Sequence, residues 1–175
     1  MIRSDFDSLP PIELPEGLEH KTLETGSAGE FHYVLNRAYN RREDNKNFLQ
    51  VLAKDPAFDP KNFIMIRSGA VPAAVAVAGH RKWTGKCIFK GEKAGFLENV
   101  GVDPDFRRQG FGRMVSILAL HRLRERGFKH AILTSFDSRL PAIRLYLSLG
   151  FRPLYLHPGD KFRWKYVTKR LKKLT

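Results

Sequence analysis

The spacing of apolar residues along the 175-residue chain changes several times, and each change marks an element. Residues 1–17 carry Pro10, Pro11 and Pro15 and read as an extended lead-in. "LEHKTLE", from Leu18, alternates and predicts a first strand. "SAGEFHYVLNRAY" has helical spacing, with Ser27 as N-cap and Glu30 three residues on, as in a capping box. "EDNKNFLQVLAKD" predicts a second helix ending before Pro56. "NFIMIRSGAVPAAVAVAGHRKW" predicts two strands about a turn at Ser68-Gly69. Beyond the basic segment "RKWTGKCIFKGEK", "AGFLENVGV" predicts a strand halted by "DPDF". From Gly110 to Arg126 a helix is expected: Met114, Ile117, Leu118 and His121 share one face, and Gly127 stops it. "HAILTSF" predicts a further strand. "RLPAIRLYLSLGF" predicts a short helix with Pro141 in its first turn, Gly150 past its end, and Ile143, Tyr146 and Leu147 on its buried face. The last stretch, "RPLYLHPGDKFRWKYVTKRL", alternates aromatic and cationic residues and predicts two final strands joined around Pro158-Gly159. Strands and helices in this order imply one α/β domain, residues 1–175, built on a single twisted sheet.

Composition narrows the setting. The single cysteine, Cys87, excludes an intramolecular disulfide and a cysteine metal cluster, and suits a reducing compartment. The longest apolar run, Ala70 to Ala78, contains Pro72 and is far short of the ~20 residues that span a bilayer. The N-terminus has no signal-like apolar core, so the chain reads as cytoplasmic, without a membrane partner. The histidines His20, His32, His121, His130 and His157 show no metal spacing, and no metal is expected. Charge is lopsided: the net +13 divides into −4 over residues 1–60 and +17 over residues 61–175. A basic surface concentrates anionic partners, so nucleic acid, an acidic protein and a polyphosphate cofactor all qualify.

The chemistry gathers in "NVGVDPDFRRQGFGRMVS". A P-loop needs G-x-x-x-x-G-K-[ST], which is absent. A dinucleotide fingerprint needs a third glycine and a tight turn after the strand. Here Gly110-Phe111-Gly112 runs on into Arg113-Met114-Val115, and residues 103–109 intervene. Arg107-Arg108-Gln109-Gly110-Phe111-Gly112 instead matches R/Q-x-x-G-x-G after a strand ending in "VGVDP". This resembles motif A of the GNAT superfamily of N-acetyltransferases, with the cofactor segment at 98–127. "AIRLYLSLGF", within a second motif at 138–151, is similar to that superfamily's A-x-x-x-Y-x-x-x-G-F segment. The resemblance implies an acyl-CoA N-acyltransferase fold, a mixed, largely antiparallel sheet flanked by helices. It implies acetyl-CoA as cosubstrate, coenzyme A as product, and a primary amine of a small molecule or protein as acceptor.

It also implies roles for residues. The amides from Arg108 through Gln109, Gly110, Phe111 and Gly112 to Arg113 would take the pyrophosphate at a helix N-terminus. Arg107, Arg108 and Arg113 would add charge, and Val100, Gly101 and Val102 would pair their backbone with the pantetheine arm. Gly101 suits a bulge that aims an N–H at the developing oxyanion. Tyr146 stands where a proton donor for the thiolate is expected. Arg139 occupies a position where many relatives have a cofactor-binding asparagine, and would contact a phosphate instead. The base is open between Glu98, which period-2 geometry puts on Val102's side of the strand unless a bulge intervenes, and His80. Two other readings stay open: a nucleic-acid or ribosome-associated basic module, and a coenzyme A-binding GNAT-like protein without catalysis. A homodimer is compatible with all three.

Overall fold

The computed structural model describes residues 1–41, 54, 58–79 and 94–173. The second expected helix, the basic segment 81–93 with Cys87, and His80 lie outside these residues. The strands with the longest buried runs are β3 (Phe63–Ser68) and β4 (Val71–Gly79), most of whose residues are buried. Strands that apolar must be covered on both faces. They pair antiparallel, and β4 pairs antiparallel with β5 (Ala94–Val102). β2 (Leu18–Thr22) closes one edge against β3. On the other side β5 runs parallel to β6 (His130–Ile132), and β1 (Ile2–Arg3) caps β6. The order β1-β6-β5-β4-β3-β2 is the expected mixed, largely antiparallel sheet.

Helices cover both faces. α1 (Ala28–Tyr39) begins where the Ser27 hydroxyl accepts the Glu30 N–H at 3.4 Å. It lays Phe31, Val34 and Leu35 on Phe63, Met65, Val75 and Val77. α2 (Phe111–Glu125) packs Val115, Leu118 and Ala119 on the opposite face, where Ala74, Ala76 and Ala78 of β4 let it approach. Each fully buried aliphatic side chain here contributes about 1.5–3 kcal/mol relative to exposure. α3 (Leu140–Ser148) and α4 (Asp160–Lys172) join through Leu140, Ile143 and Val167. Among the described residues no helix is long and apolar enough to cross a membrane.

Four expectations need correction. The C-terminal stretch is α4, not two strands. The Asp160 carboxylate accepts the N–H groups of Leu156 at 2.8 Å and His157 at 2.9 Å, turning the chain into a helix. Trp164, Val167 and Leu171, at i, i+3 and i+7, then reach the α3 cluster. Phe162 and Tyr166 are 79% and 58% exposed, so their alternation with Trp164 is no burial pattern. The strand in "HAILTSF" ends at Ile132. The lead-in is partly paired: Ile2 exchanges backbone hydrogen bonds of 2.9 and 2.7 Å with Arg152, and the buried Arg3 guanidinium donates to the Leu149 carbonyl. N-terminal residues thus hold the outer flank of β6. In α3, Leu140 joins Ile143 and Tyr146 inside, while Leu147 is 37% exposed.

Candidate active site

The site begins where two parallel strands part. Among the described residues β5 and β6 pair only at Ala94–His130, Gly95–Ala131 and Phe96–Ile132. Beyond Phe96, β5 keeps β4 on one side and has a fork on the other, where its polar backbone is open to a partner. A bulge lies in this free half. Val75 pairs with Gly101 but Val77 pairs with Glu98, so two steps along β4 match three along β5. Asn99 takes the extra residue's strain with φ 50°. The bulge is therefore at Asn99–Val100 and not at Gly101. Gly101 lies flat under α1, where an added Cβ would come within 3.0 Å of the Ala38 Cβ.

The bulge reverses an expected facing. Glu98 and Gly101 share the α1 face with Val77 and Val75, whereas Val102 pairs with Ala74 on the α2 face. Glu98 and Val102 are therefore on opposite sides of the sheet, because one inserted residue switches the parity of everything beyond it. The Glu98 carboxylate lies over Gly79, in space that a Cβ there would fill.

The turn after β5 is tied down by α1. The Asp103 N–H donates to the Ala73 carbonyl at 2.9 Å, and its buried carboxylate accepts Arg37 Nε at 2.8 Å and Nη2 at 3.0 Å. Hydrogen bonding to Arg37 holds the Asp103 carboxyl below the usual carboxylate range. Arg37 Nη2 also reaches Asp105 at 2.7 Å. The chain then takes two left-handed residues, Arg108 (φ 63°) and Gly110 (φ 87°), and enters α2. Among the described residues the N–H groups of Arg108, Gln109, Gly110, Phe111 and Gly112 donate to no acceptor. Five unpaired donors meet the positive end of the α2 dipole, an arrangement that holds an anion.

The side chains of this loop divide. Arg108 and Arg113 are exposed, the latter 3.4 Å from Ser148 Oγ. Arg107 donates to the Ala38 carbonyl at 3.0 Å, and Gln109 to the Asp105 carbonyl at 3.1 Å, so both also brace the loop. Phe111 is buried edge-on to Phe106, 5.3 Å between centroids. A Cβ on Gly110 would meet nothing within 4 Å, leaving that side of the loop clear. A Cβ on Gly112 would touch Val102 and Leu145 at 3.4 Å, so that glycine serves close packing of α2 on β5 and α3.

At the mouth of the fork the structure gathers Tyr146, Arg139 and Val100 with two residues that the sequence did not single out. Tyr39, at the end of α1, donates its hydroxyl to the Val100 carbonyl at 2.9 Å, beside the bulge. The Arg139 guanidinium lies 4.8 Å from the Tyr39 ring centroid and 5.0 Å from that of Phe136. Tyr146 is buried, edge-on to Phe151 at 6.0 Å, and its hydroxyl has no hydrogen-bond partner among the described residues. Burial, with Tyr39 nearby, raises its phenol above the ordinary value, so it keeps its proton throughout the neutral range. Tyr39 is raised in the same way, by burial. The one sequence signal for Tyr39 was its place four residues after the buried Leu35. Glu98 stays apart on the α1 face. Among the described residues no cluster of three metal-ligating side chains occurs.

A sequence profile of the acetyltransferase (GNAT) family matches residues 28–151. A mycothiol acetyltransferase of Thermobispora bispora is 36% identical over 82% of this chain and 49% of its own length. One of Thermobifida fusca is 36% identical over 59% of this chain and 32% of its own. The chain thus spans about half, or less, of the length of these relatives. Among solved structures, the ribosomal-protein-S18-alanine N-acetyltransferase of Escherichia coli superposes with a TM-score of 0.59 at 25% identity, covering 79% of each chain.

Proposed function

Because the chain belongs to the acetyltransferase (GNAT) family, we propose that it transfers an acetyl group from acetyl-CoA to a primary amine by direct attack. The observation that carries this reading is the row of unpaired amides from Arg108 to Gly112 beside the fork between β5 and β6. The residues fit the cosubstrate. The amides and the clear side of Gly110 suit a pyrophosphate, Arg108 and Arg113 add charge at its edge, and the open backbone of Val100 to Val102 suits an amide-bearing arm. Bound there, acetyl-CoA supplies an acyl group already activated toward amines.

The chain's own residues orient that group and handle protons. Tyr39 braces β5 at Val100 and Arg37 braces the turn at Asp103, fixing the amides beyond the bulge. Tyr146 holds a proton at its Oη throughout the neutral range, one it can donate to a departing thiolate. Glu98, on the other face, is the described candidate to receive the amine's proton. An acid and a base on opposite faces suit acyl transfer, since the amine approaches from one side and the thiol leaves from the other. Arg139, stacked on Tyr39 and Phe136, is placed to meet a phosphate or to wall the mouth.

The relatives' names point to unlike chemistry: mycothiol in one case, an alanine of ribosomal protein S18 in the other. Small-molecule amines and peptide N-termini therefore both belong in the test, which reads free-thiol release from acetyl-CoA across an acceptor panel. We expect acetyl-CoA to bind and at least one class to be acetylated. A protein that acetyl-CoA does not stabilise in thermal shift, and that shows no heat of binding, would overturn the proposal.

A further inference from the structure

α4 has a surface that neither the fold nor acetyl transfer uses. Its structural duty is met by Trp164, Val167 and Leu171, which pack against α3. At about 100° per residue, Lys161, Lys165, Lys169 and Lys172 form a stripe along the adjoining face, successive fourth residues rising about 6 Å. With Trp164 they line one wall of a groove of about 470 Å³ whose other wall includes Tyr155. Among the described residues no acidic side chain lines it. The nearby acids are engaged elsewhere: Asp160 with Leu156 and His157, Asp137 with Arg163. Among the described residues Lys161, Lys165 and Lys169 form no ion pair. Like charges four apart destabilise a helix, so the stripe is a standing cost unless an anion lies along it.

Aromatic rings flank the cations on both sides. Tyr155 is 51% exposed across the groove, and on the far side Phe162 and Tyr166 stand in solvent, Tyr166 under Arg170 at 5.6 Å. A line of cations between exposed rings is the composition of a single-stranded nucleic-acid surface, where phosphates follow the charges and bases stack on the rings. An acidic peptide would use the lysines and leave the rings idle. A membrane surface would need an apolar helix face to insert, and the apolar face of α4 is already buried against α3. We infer that the α4 groove binds single-stranded nucleic acid, as a second site separate from the amides of the α2 loop.

The experiment is fluorescence anisotropy of labelled 12-nucleotide oligo(dT) and oligo(U) with the full chain. Binding is expected at 50 mM salt. Contact with four lysines predicts a log–log salt slope of about −2.8, hence roughly 50-fold weaker binding at 200 mM. Lys165→Glu with Lys169→Glu should weaken it more than about 10-fold, and Tyr155→Ala about 5-fold or more. Both variants should keep the acetyl-CoA thermal shift, and saturating acetyl-CoA should not compete. Four results would overturn the inference: no binding at 50 mM salt, indifference to the charge reversals, displacement by acetyl-CoA, or equal binding to polyglutamate or phosphatidylserine vesicles with no effect of Tyr155→Ala.

Discussion

The two ends of α2 supply a matched experiment. Gly110 opens the helix at φ +87° and Gly127 follows its end at φ +76°, and a Cβ added at either position meets nothing within 4 Å. Alanine therefore carries the same kind of cost at both: left-handed strain of about 1–2 kcal/mol, offset in part by about 0.4–1 kcal/mol through the stiffer unfolded chain. The net, about 1 kcal/mol, should lower either melting temperature by roughly 2–4 °C for a chain of this size. The ligand response should differ. At one hundred times its Kd, acetyl-CoA stabilises the wild type by about 2.7 kcal/mol, or roughly 5–10 °C. Under the proposed function a methyl group on Gly110 would intrude on the pyrophosphate, so Gly110→Ala should lose most of that rise, whereas Gly127→Ala should keep it. Differential scanning fluorimetry over an acetyl-CoA titration, with calorimetry for the Kd, reads both. Equal ligand-induced rises in the two variants would refute the assignment of the α2 loop.

Tyr146→Phe keeps the ring against Phe151 and removes the proton; turnover should fall about 10²-fold while the acetyl-CoA thermal shift stays whole, and full turnover would leave Tyr146 a packing residue. Because burial raises this phenol, the wild-type rate should show no alkaline loss from Tyr146 below about pH 10, read from the pH profile of kcat. Asp103 is held below its free value by Arg37, so its contribution to stability is complete above about pH 4 and is lost as pH falls through the folded value. Melting temperature from pH 5 downward should accordingly fall more steeply in wild type than in Asp103→Asn, and parallel curves would count against the pairing. Val167→Ala should cost about 2 kcal/mol by denaturant titration, and Phe162→Ala within about 0.5; comparable losses at both positions would return the segment to a strand.

Much of the fold was legible because its signals are local. The Ser27 cap, the apolar β3–β4 pair, the DPDF stop and the extent of α2 each depend on residues within a turn or two of one another, and each stands as read. The candidate site was half legible for the same reason. The loop from Arg107 to Gly112 is a contiguous string whose glycine at φ 87° reports its own backbone. The second motif likewise located Tyr146 on α3.

The rest needed partners distant in the chain. By itself the sequence determined where the periodicity changes, which glycine can take a left-handed turn, and where positive charge meets a helix start, all properties of neighbouring residues. Tertiary structure decided the parity of β5, because a bulge exists only relative to the register of β4, and that single inserted residue moved Glu98 to the α1 face. It decided that residues 160–172 form a helix, because the i, i+3, i+7 set of Trp164, Val167 and Leu171 prevails over the aromatic–cation alternation only when α3 offers Leu140 and Ile143 to bury Val167. It also brought Tyr39 to Val100, 61 residues away, a hydrogen bond made only once α1 has docked on the sheet.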